Sequence, residues 1–378
     1  MFWFWFFAGP ALALAAVALR GERKRARFVA ERLTPDTNQI APPATVIASI
    51  EGDGDGLREN LAVLAAQEYP SYELILAART AADIPPNVLP RRVIVVLRGA
   101  KESNSGQRTE NLLAGVQASR KQSEVLAFAD AYGRVSRQWL RALVAPLSQA
   151  NVGVSTGFYW FTPEPPDFWS LMRSVWSAPV AGRLGPGDNP FAWAGSMAIL
   201  KEMFYELRIP SAWRESISES GPVTRAVHRA GLRIAFAPGA IAADSGRTGM
   251  RDFLRWARSQ MALARLYVPR HWWWSLAAHF FYCGGMAAAI TASLKGSRGA
   301  EWVLVAQLGL GMLKGVNRAA IAKAELPERE AWFQRHAWIH SLWVPLATWL
   351  WLGILMASAV PFRQAAKKTA ASNPESRL

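Results

Sequence analysis

The sequence predicts an α/β protein, with a sheet and its covering helices between residues 44 and 268 and apolar segments at both ends of the chain. Two observations predict this class. Short apolar runs such as ATVIASI and RVIVVL alternate with stretches of helical spacing, for example Leu57, Leu61 and Leu64. A chain that alternates strands and helices in this way folds as a layered α/β domain, with helices packed on the sheet.

The predicted elements follow one another in a regular order. Apolar and β-branched runs predict strands at residues 44–50, 72–78, 92–97, 124–129, 152–161, 191–200 and 234–241. Helical spacing predicts helices at residues 57–67, 109–118, 136–149, 166–180, 220–230 and 250–267. Stretches rich in Gly, Pro and Asp separate these elements and predict the turns.

The composition indicates a segregated, basic protein. Hydrophobic residues make up 51% of the 378 residues, charged residues make up 19%, and the formal net charge is +15. Nucleic acid and an anionic membrane surface are both possible partners for such a surplus. The apolar ends favour the membrane, and no regular basic and aromatic repeat indicates nucleic-acid binding. Cys283 is the one cysteine, so no internal disulfide can form.

The N-terminal segment predicts a membrane anchor over residues 1–20. It is almost entirely apolar and just long enough to cross a hydrocarbon layer of about 30 Å. A basic cluster follows at once, at Arg20, Arg23, Lys24, Arg25 and Arg27. Because positive charge marks the cytoplasmic side, we expect the chain after the anchor, with its catalytic domain, to be cytoplasmic. A cleaved signal peptide is the alternative interpretation.

Further apolar segments predict a C-terminal membrane region over residues 269–360. Trp272 to Leu294 and Trp338 to Val360 each predict a membrane span, whereas Trp302 to Leu313 is short for one. The number of crossings therefore stays open. Residues 21–43 are expected to form a basic linker, and residues 361–378 a polar tail.

Polar residues that follow the predicted strands are the candidates for ligand binding. Asp83 and Asp130 each follow a strand, and parallel strands bring such residues to one edge of a sheet. That edge can hold a nucleotide-sugar, with a divalent metal neutralising its diphosphate. Arg108, beside a predicted helix start, can add positive charge there. A structural role is the alternative for each of these residues.

Arg255 and Trp256 form a second candidate, on an amphipathic helix that precedes the first C-terminal apolar segment. A guanidinium beside an indole can hold an acceptor or a diphosphate at a membrane surface. Snorkelling of the arginine to the interface is the alternative.

The order of these segments resembles the ceramide glucosyltransferase group of membrane glycosyltransferases, family 21, which is close to family 2. The segments that carry the resemblance are EYPSYELILAARTAADIPP with Asp83, SGQRTENLLAG with Arg108, EVLAFADAYGRV with Asp130, AWAGSMAILKEMF, ISESGPVTRAVHRAGLRIAFAP with Glu219, and DFLRW with Arg255 and Trp256. The resemblance covers residues 40–270, with similar apolar ends.

The resemblance implies a GT-A fold, which is a Rossmann-like mixed sheet with helices on both faces. It also implies an inverting transfer of a hexose from a nucleotide-sugar such as UDP-glucose to a lipid acceptor such as ceramide. Asp83, Arg108 and Asp130 would then bind the donor, and Asp130 would bind Mg²⁺ or Mn²⁺.

Three positions depart from the family pattern. Asp130-Ala131-Tyr132 stands where Asp-x-Asp is common, Glu219-Ser220 where Glu-Asp provides the general base, and Asp252 where Gln or Arg is expected. A serine hydroxyl is a poor base near neutral pH, so Glu219 becomes the candidate base. These departures leave a non-catalytic glycosyltransferase-like membrane protein as the alternative function, and a basic membrane protein that binds nucleic acid or anionic lipid as a third.

Overall fold

The computed structural model describes residues 2–33, 41–99 and 105–359, so the predicted polar tail at 361–378 lies outside the described residues. The chain forms two compact units. The sheet unit contains Glu31–Pro165 and Arg183–Arg247. The helical unit contains the N-terminal helix up to Ala30, Pro166–Gly182 and the described chain from Thr248 to Ala359.

The sheet unit is built around one mixed sheet. Its strands are β1 (Ala44–Ser49), β2 (Tyr72–Ala78), β3 (Ile94–Leu97), β4 (Val125–Asp130), β5 (Val152–Phe161), β6 (Ser196–Leu200) and β7 (Arg233–Asp244). They lie in the order β3-β2-β1-β4-β6-β5-β7. Strand β6 is antiparallel to β4 and β5, whereas β3, β2, β1 and β4 are parallel to their neighbours in that group. The predicted α/β class is confirmed.

Helices connect the strands and form the second unit. They are α1 (Phe2–Arg32), α2 (Leu57–Leu64), α3 (Gln107–Ala118), α4 (Trp139–Val144), α5 (Phe168–Ala181), α6 (Lys201–Glu206), α7 (Ile209–Arg214), α8 (Ser220–Arg229), α9 (Met250–Tyr267), α10 (Pro269–Leu294), α11 (Arg298–Glu325), α12 (Glu330–His336), α13 (Ile339–Leu342) and α14 (Val344–Ala359).

Helices cover both faces of the sheet because its central strands are apolar on both sides. In β1, Val46 and Ala48 point into a core shared with α2 and α4. Ile47 points to the opposite face, into a core shared with α3, α7 and α8. Helix α3 approaches β1 so closely that a Cβ at Gly115 would lie 2.5 Å from Cγ2 of Ile47. This packing fixes the start of α3 beside the carboxyl ends of the strands.

Within the part of the chain that the structure describes, two helices are long and apolar enough to span a membrane, namely α1 from Phe4 onward and α10. Helix α14 is apolar, and its described part covers Val344–Ala359. The predicted span at Trp338 to Val360 is therefore not one helix, since Ile339–Leu342 forms the separate helix α13. The short segment at Trp302 to Leu313 belongs to α11, which has 28 residues.

The predicted domain boundaries differ from the observed units at two places. Helix α1 continues to Arg32, so the first part of the predicted basic linker is helical, while residues 34–40 lie outside the described part. Helices α5 and α9, predicted within the 44–268 domain, belong to the helical unit. Aromatic packing explains this placement, because Trp176 of α5 stacks on Trp351 at 4.3 Å between ring centroids.

Candidate active site

The carboxyl ends of three parallel strands meet at one edge of the sheet. Ser49 of β1 lies level with Ala77 of β2 on one side and with Asp130 of β4 on the other. Asp83 lies in the short 3-10 turn Ala81–Asp83 that follows β2. The loops that carry Asp83 and Asp130 therefore leave the sheet at the same edge, as the sequence predicts. In open α/β sheets this edge is where ligands bind.

Arg108 joins two carboxylates at this edge. It is the second residue of α3, and its Nη1 lies 3.6 Å from Oδ1 of Asp130. Its Nε lies 2.8 Å from Oε1 of Glu219, the residue directly before α8. All three side chains are partly accessible, with exposed fractions of 18–26%. The fold thus brings together three predicted site residues from three separate segments.

The local backbone decides which side chain of the Glu219-Ser220 pair faces Arg108. The Oγ of Ser220 accepts a hydrogen bond from the backbone N–H of Ala194 at 3.0 Å. The indole N–H of Trp213 donates to the backbone carbonyl of Glu219 at 2.9 Å. These contacts hold Ser220 toward the chain before β6, so that the carboxylate of Glu219 meets the guanidinium.

Tyr132 connects two loops of the site and was missed by the sequence reasoning. Its hydroxyl accepts from the backbone N–H of Glu51 and donates to the carbonyl of Gly52, each at 3.0 Å. Its backbone N–H donates to Oδ1 of Asp130 at 3.2 Å. Tyr132 stands at the third position of the family's Asp-x-Asp pattern, which was the available signal. Instead of a second carboxylate, the chain places there a phenol that fixes the loop after β1.

Glu51 is the second site residue that was missed. It follows β1 at the same edge, and Oγ of Ser49 donates to its carboxylate at 3.1 Å. Burial raises the pKa of Glu51 to about 7; Arg108 lowers it in part, and the neighbouring carboxylates of Glu219 and Asp130 add to the rise. An acidic residue directly after a strand was the signal in the sequence.

Asp83 has mainly local partners. Its Oδ2 accepts from the backbone N–H of Thr80 at 2.8 Å and from the hydroxyl of Thr80 at 2.9 Å, which caps its own turn. Its backbone carbonyl accepts from the N–H of Gly52 at 2.9 Å. Because Gly52 also bonds to Tyr132, hydrogen bonds connect the Asp83 turn to the Asp130 loop.

Arg255 and Trp256 lie on α9 in the helical unit. Arg255 is half exposed and pairs with Asp252 at 3.0 Å, so the charge of Asp252 is compensated on its own helix. Trp256 is buried and packs edge-on against Trp176 at 5.4 Å. The guanidinium of Arg173 lies 4.9 Å from the centroid of its ring. Trp256 is therefore part of an aromatic core, and Arg255 is the accessible member of the pair.

The carboxylate of Asp130 is suited to bind a divalent cation whose other ligands come from a phosphate-bearing substrate. Within the described residues, no group of three or more His, Cys, Asp or Glu side chains is arranged to hold a metal ion. Mg²⁺ in phosphate-transferring sites is commonly held by one or two carboxylates together with the substrate's phosphates. One accessible carboxylate at the sheet edge suits that mode and does not suit a closed metal site made of protein ligands alone.

The model of the family described as "Glycosyl transferase family 21" matches residues 4–366. No curated protein matches the sequence significantly.

Two solved structures are similar at low identity. The structure of GalNAc-T7 with UDP, GalNAc and Mn²⁺ is 17% identical over 56% of this chain and 45% of that chain, with a TM-score of 0.41. A mycobacterial protein is 16% identical over 66% of this chain and 78% of that chain, with a TM-score of 0.40. This chain thus spans less than half of the first of these structures, and similarity at these TM-scores supports no further conclusion.

Proposed function

The chain belongs to glycosyl transferase family 21, and from that premise we propose that it moves a hexose from a nucleotide-sugar to a lipid acceptor at a membrane surface, with inversion at the anomeric carbon. Family membership makes the chain a glycosyltransferase, which implies a sugar donor and an acceptor. The resemblance noted in the sequence favours UDP-glucose or a similar donor, and an acceptor such as ceramide.

The contact of Arg108 with both Asp130 and Glu219 is the observation that carries this proposal. Departure of a nucleoside diphosphate leaves negative charge on its phosphate oxygens, and a preorganised guanidinium stabilises that charge. Arg108 stands beside the N-terminus of α3, where the helix dipole also favours an anion. The diphosphate is therefore assigned to Arg108 and to Asp130 with the loop that follows it.

Glu219 is assigned as the general base. Its carboxylate is partly accessible and lies beside Arg108. A base in this place would take the proton of the acceptor hydroxyl while that oxygen attacks the anomeric carbon and the diphosphate leaves. Glu219 would keep the proton until it passes to solvent. Arg108, by holding the diphosphate, would place the sugar within reach of this carboxylate.

Asp130 is assigned to hold Mg²⁺ or Mn²⁺ together with the donor. When bound, such an ion neutralises charge on the departing diphosphate. Asp83, Tyr132 and the loop after β1 would then position the nucleoside part, since hydrogen bonds connect these loops.

The acceptor side is assigned to α9 and the membrane. Arg255 is accessible on an amphipathic helix that leads directly into α10, one of the two helices of membrane-spanning length. Arg255 can contact a lipid headgroup at the membrane surface, while Trp256 supports the helix from within its aromatic core. The basic cluster after the N-terminal anchor favours the cytoplasmic side of the membrane for this reaction.

Transfer of labelled sugar to extracted lipid tests this proposal. The full chain, purified in detergent, is incubated with UDP-glucose and related donors, with Mn²⁺, with Mg²⁺ or with a chelator. We expect transfer that is lost in Asp130→Ala and in Glu219→Gln. The matched controls are Glu206→Ala and Glu215→Gln, which change exposed acidic residues outside the loops assigned to the donor and should retain transfer.

Two results would contradict parts of the proposal. Full transfer in Asp130→Ala would remove the assigned donor site. Donor binding without transfer from any donor or to any lipid would favour the non-catalytic alternative that the Glu219-Ser220 pair left open.

A further inference from the structure

Three long helices of the helical unit define a common direction. Helices α10 and α11 form an antiparallel hairpin, because the hydroxyl of Tyr282 donates to the carbonyl of Gln307 at 3.0 Å and residues 295–297 connect the two helices. Helix α1 runs parallel to α11. Near its start, Ala8 packs in one cluster with Val303, and near its end Glu22 pairs with Arg318 at 2.5 Å.

The ends of these helices can therefore be assigned to two sides. A further ion pair, between Arg25 and Glu325 at 2.8 Å, places the basic end of α1 level with the end of α11. The antiparallel hairpin places the beginning of α10 at that same level. We call this level the basic side. The connection at residues 295–297 lies at the opposite side.

Helix α14 runs antiparallel to α10 and ends at the basic side. Three contacts at regular intervals fix the pairing. The indole N–H of Trp272 donates to Ser358 Oγ at 3.1 Å, His279 stacks on Trp351 at 5.1 Å, and Cys283 Sγ lies 3.8 Å from the carbonyl of Thr348. Since α10 begins at Pro269, the end of α14 lies beside the beginning of α10.

The beginning of α14 lies part of the way along α11, not beyond its far end. A Cβ added at Gly311 would lie 3.4 Å from Cγ1 of Val344, the first residue of α14. A Cβ at Gly315 would overlap the carbonyl oxygen of His340 in α13. Both glycines are inside α11 and allow this close approach. Helix α11 ends at the basic side. Helices α12 and α13 then lead the chain back to the level of the middle of α11, and α14 returns it to the basic side.

From these contacts we infer that residues 330–359 form a re-entrant hairpin that enters and leaves the membrane at the basic side, and that its outer face contacts the acyl chains of that one leaflet. The inference rests on the proposed membrane location. Helices α1 and α10 would cross the bilayer. Helix α11 is less apolar and would cross packed against them, through Tyr282 of α10 and Glu22 of α1, whereas α14 would not cross.

Length and surface chemistry support this partner. The first residue of α14, Val344, lies beside Gly311 in the middle of α11, so the described part of α14, Val344–Ala359, occupies only about 24 Å on the side of the basic cluster. The segment 337–359 contains no Asp, Glu, Lys or Arg. Large apolar side chains along it are 43–55% exposed, namely Trp338, Leu342, Leu346, Trp349 and Met356.

The turn between the two arms satisfies a strict requirement of a lipid environment. Backbone that is not helical is tolerated at membrane depth only where protein or water surrounds it. Ile339, His340 and Ser341 are buried at the turn, with exposed fractions of 0–9%. Protein thus encloses the middle of the turn, while Trp338, Leu342 and the apolar side chains of α14 face outward. The exposed side chains of α12, Gln334 and Arg335, are polar and suit the headgroup level at the basic side.

Cysteine accessibility in membrane vesicles of known orientation tests the inference. In a Cys283→Ser background, single cysteines are placed at Ser297→Cys in the α10–α11 connection, at Glu328→Cys in the α11–α12 connection, and after Leu378. Both native side chains are exposed. A membrane-impermeant maleimide should label the cysteine at 297 from one side only. It should label those at 328 and at the C-terminus from the other side only.

Labelling of the C-terminal cysteine from the same side as the cysteine at 297 would overturn the inference, because α14 would then cross. Protease removal of a C-terminal tag in the same vesicles gives the same information without any cysteine. Contact with lipid is tested by a bimane label on Leu346→Cys, which nitroxide lipids should quench. The same label on Glu328→Cys should not be quenched, and equal quenching at both sites would contradict leaflet insertion.

Failure of the proposed function gives a different pattern. A chain released from vesicles by carbonate would refute the membrane location and the hairpin together. Sugar transfer assayed in the same vesicles tests the enzyme itself. Active vesicles with a crossing α14 would overturn the hairpin alone, and inactive vesicles with the expected labelling would leave the hairpin supported.

Discussion

The Nε of Arg108 lies 2.8 Å from Oε1 of Glu219, and the Nη1 of the same guanidinium lies 3.6 Å from Oδ1 of Asp130. Arg108, which we assign to bind the diphosphate, and Glu219, which we assign as the base, are therefore in direct contact. A diphosphate would compete with Glu219 for this guanidinium, because both are anions that accept its N–H groups. Donor binding is thus expected to change the environment of the base.

Replacement of Arg108 is expected to reduce transfer strongly. Arg108→Ala removes the cation assigned to the leaving group, and the loss of one such preorganised donor typically lowers turnover about 100- to 1000-fold. Arg108→Lys keeps the charge but not the planar fork, so we expect partial recovery. Initial rates of labelled-sugar transfer measure the effect, with Arg58→Ala on the exposed side of α2 as the control. Equal activity of Arg108→Ala and the control would remove Arg108 from the site.

Replacements of Glu219 and Ser220 are expected to have different effects, the first on turnover and the second on stability. Glu219→Gln should lower turnover about 100- to 10,000-fold if the carboxylate is the base. Ser220→Ala removes the acceptor for the N–H of Ala194, so it should lower stability by about 1–3 kcal/mol while turnover per folded molecule is kept. Transfer rates and thermal unfolding of both variants make the comparison. The opposite pattern, with Ser220→Ala inactive and fully stable, would assign the chemistry to Ser220.

Tyr132→Phe is expected to weaken donor binding more than turnover. The change removes a hydroxyl that accepts from Glu51 and donates to Gly52, so the loop after β1 loses its connection to the Asp130 loop. We expect the KM for the nucleotide-sugar to rise by the equivalent of about 1–3 kcal/mol. Tyr205→Phe, at a half-exposed tyrosine, is the control. A fall in kcat at unchanged KM would contradict a role of Tyr132 in donor binding.

Glu51 is expected to make the protein less stable as the pH rises. Its pKa is raised from 4.5 to about 7, so between these values the folded state binds more protons than the unfolded state. The free energy of unfolding therefore falls as the pH rises from 4.5 to 7. The stability that the protonated Glu51 contributes at low pH is lost above pH 7. Glu51→Gln should remove this part of the pH dependence in thermal unfolding of the detergent-purified protein. An unchanged slope in this variant would show that Glu51 does not titrate in this range.

Replacing one residue of the buried pair Arg25 and Glu325 is expected to destabilise the protein more than replacing both. The two side chains are only 3% and 1% exposed. Arg25→Ala leaves the carboxylate buried without this cation, and breaking such a pair costs about 3–5 kcal/mol. Replacing both residues by methionine should restore most of the loss, because neither charge of this pair is then left buried alone. Arg27→Ala, at an exposed position on the same helix, is the control in thermal unfolding.

The sequence by itself determined the α/β class and the positions of most elements. Segments such as 44–50 and 124–129 are short and apolar throughout. A continuous apolar run is typical of a strand buried on both faces of a parallel sheet, so these strands could be predicted without knowing which strands lie beside them. The sequence also predicted that Arg108 begins a helix and that Asp130 ends a strand, because local structure places such residues. Strand β6 was predicted too long, since residues 191–195 are apolar but do not pair in the sheet.

Only the tertiary structure decided which side chains meet. The choice between Glu219 and Ser220 depends on the contact of Ser220 with Ala194, and the roles of Tyr132 and Glu51 depend on two loops that meet at the sheet edge. Likewise, the apolar run at 338–360 has the composition of a membrane span. Its division into α13 and α14 follows from close packing against Gly311 and Gly315 of α11. Composition specifies that a segment is apolar, whereas its neighbours in space determine where it ends.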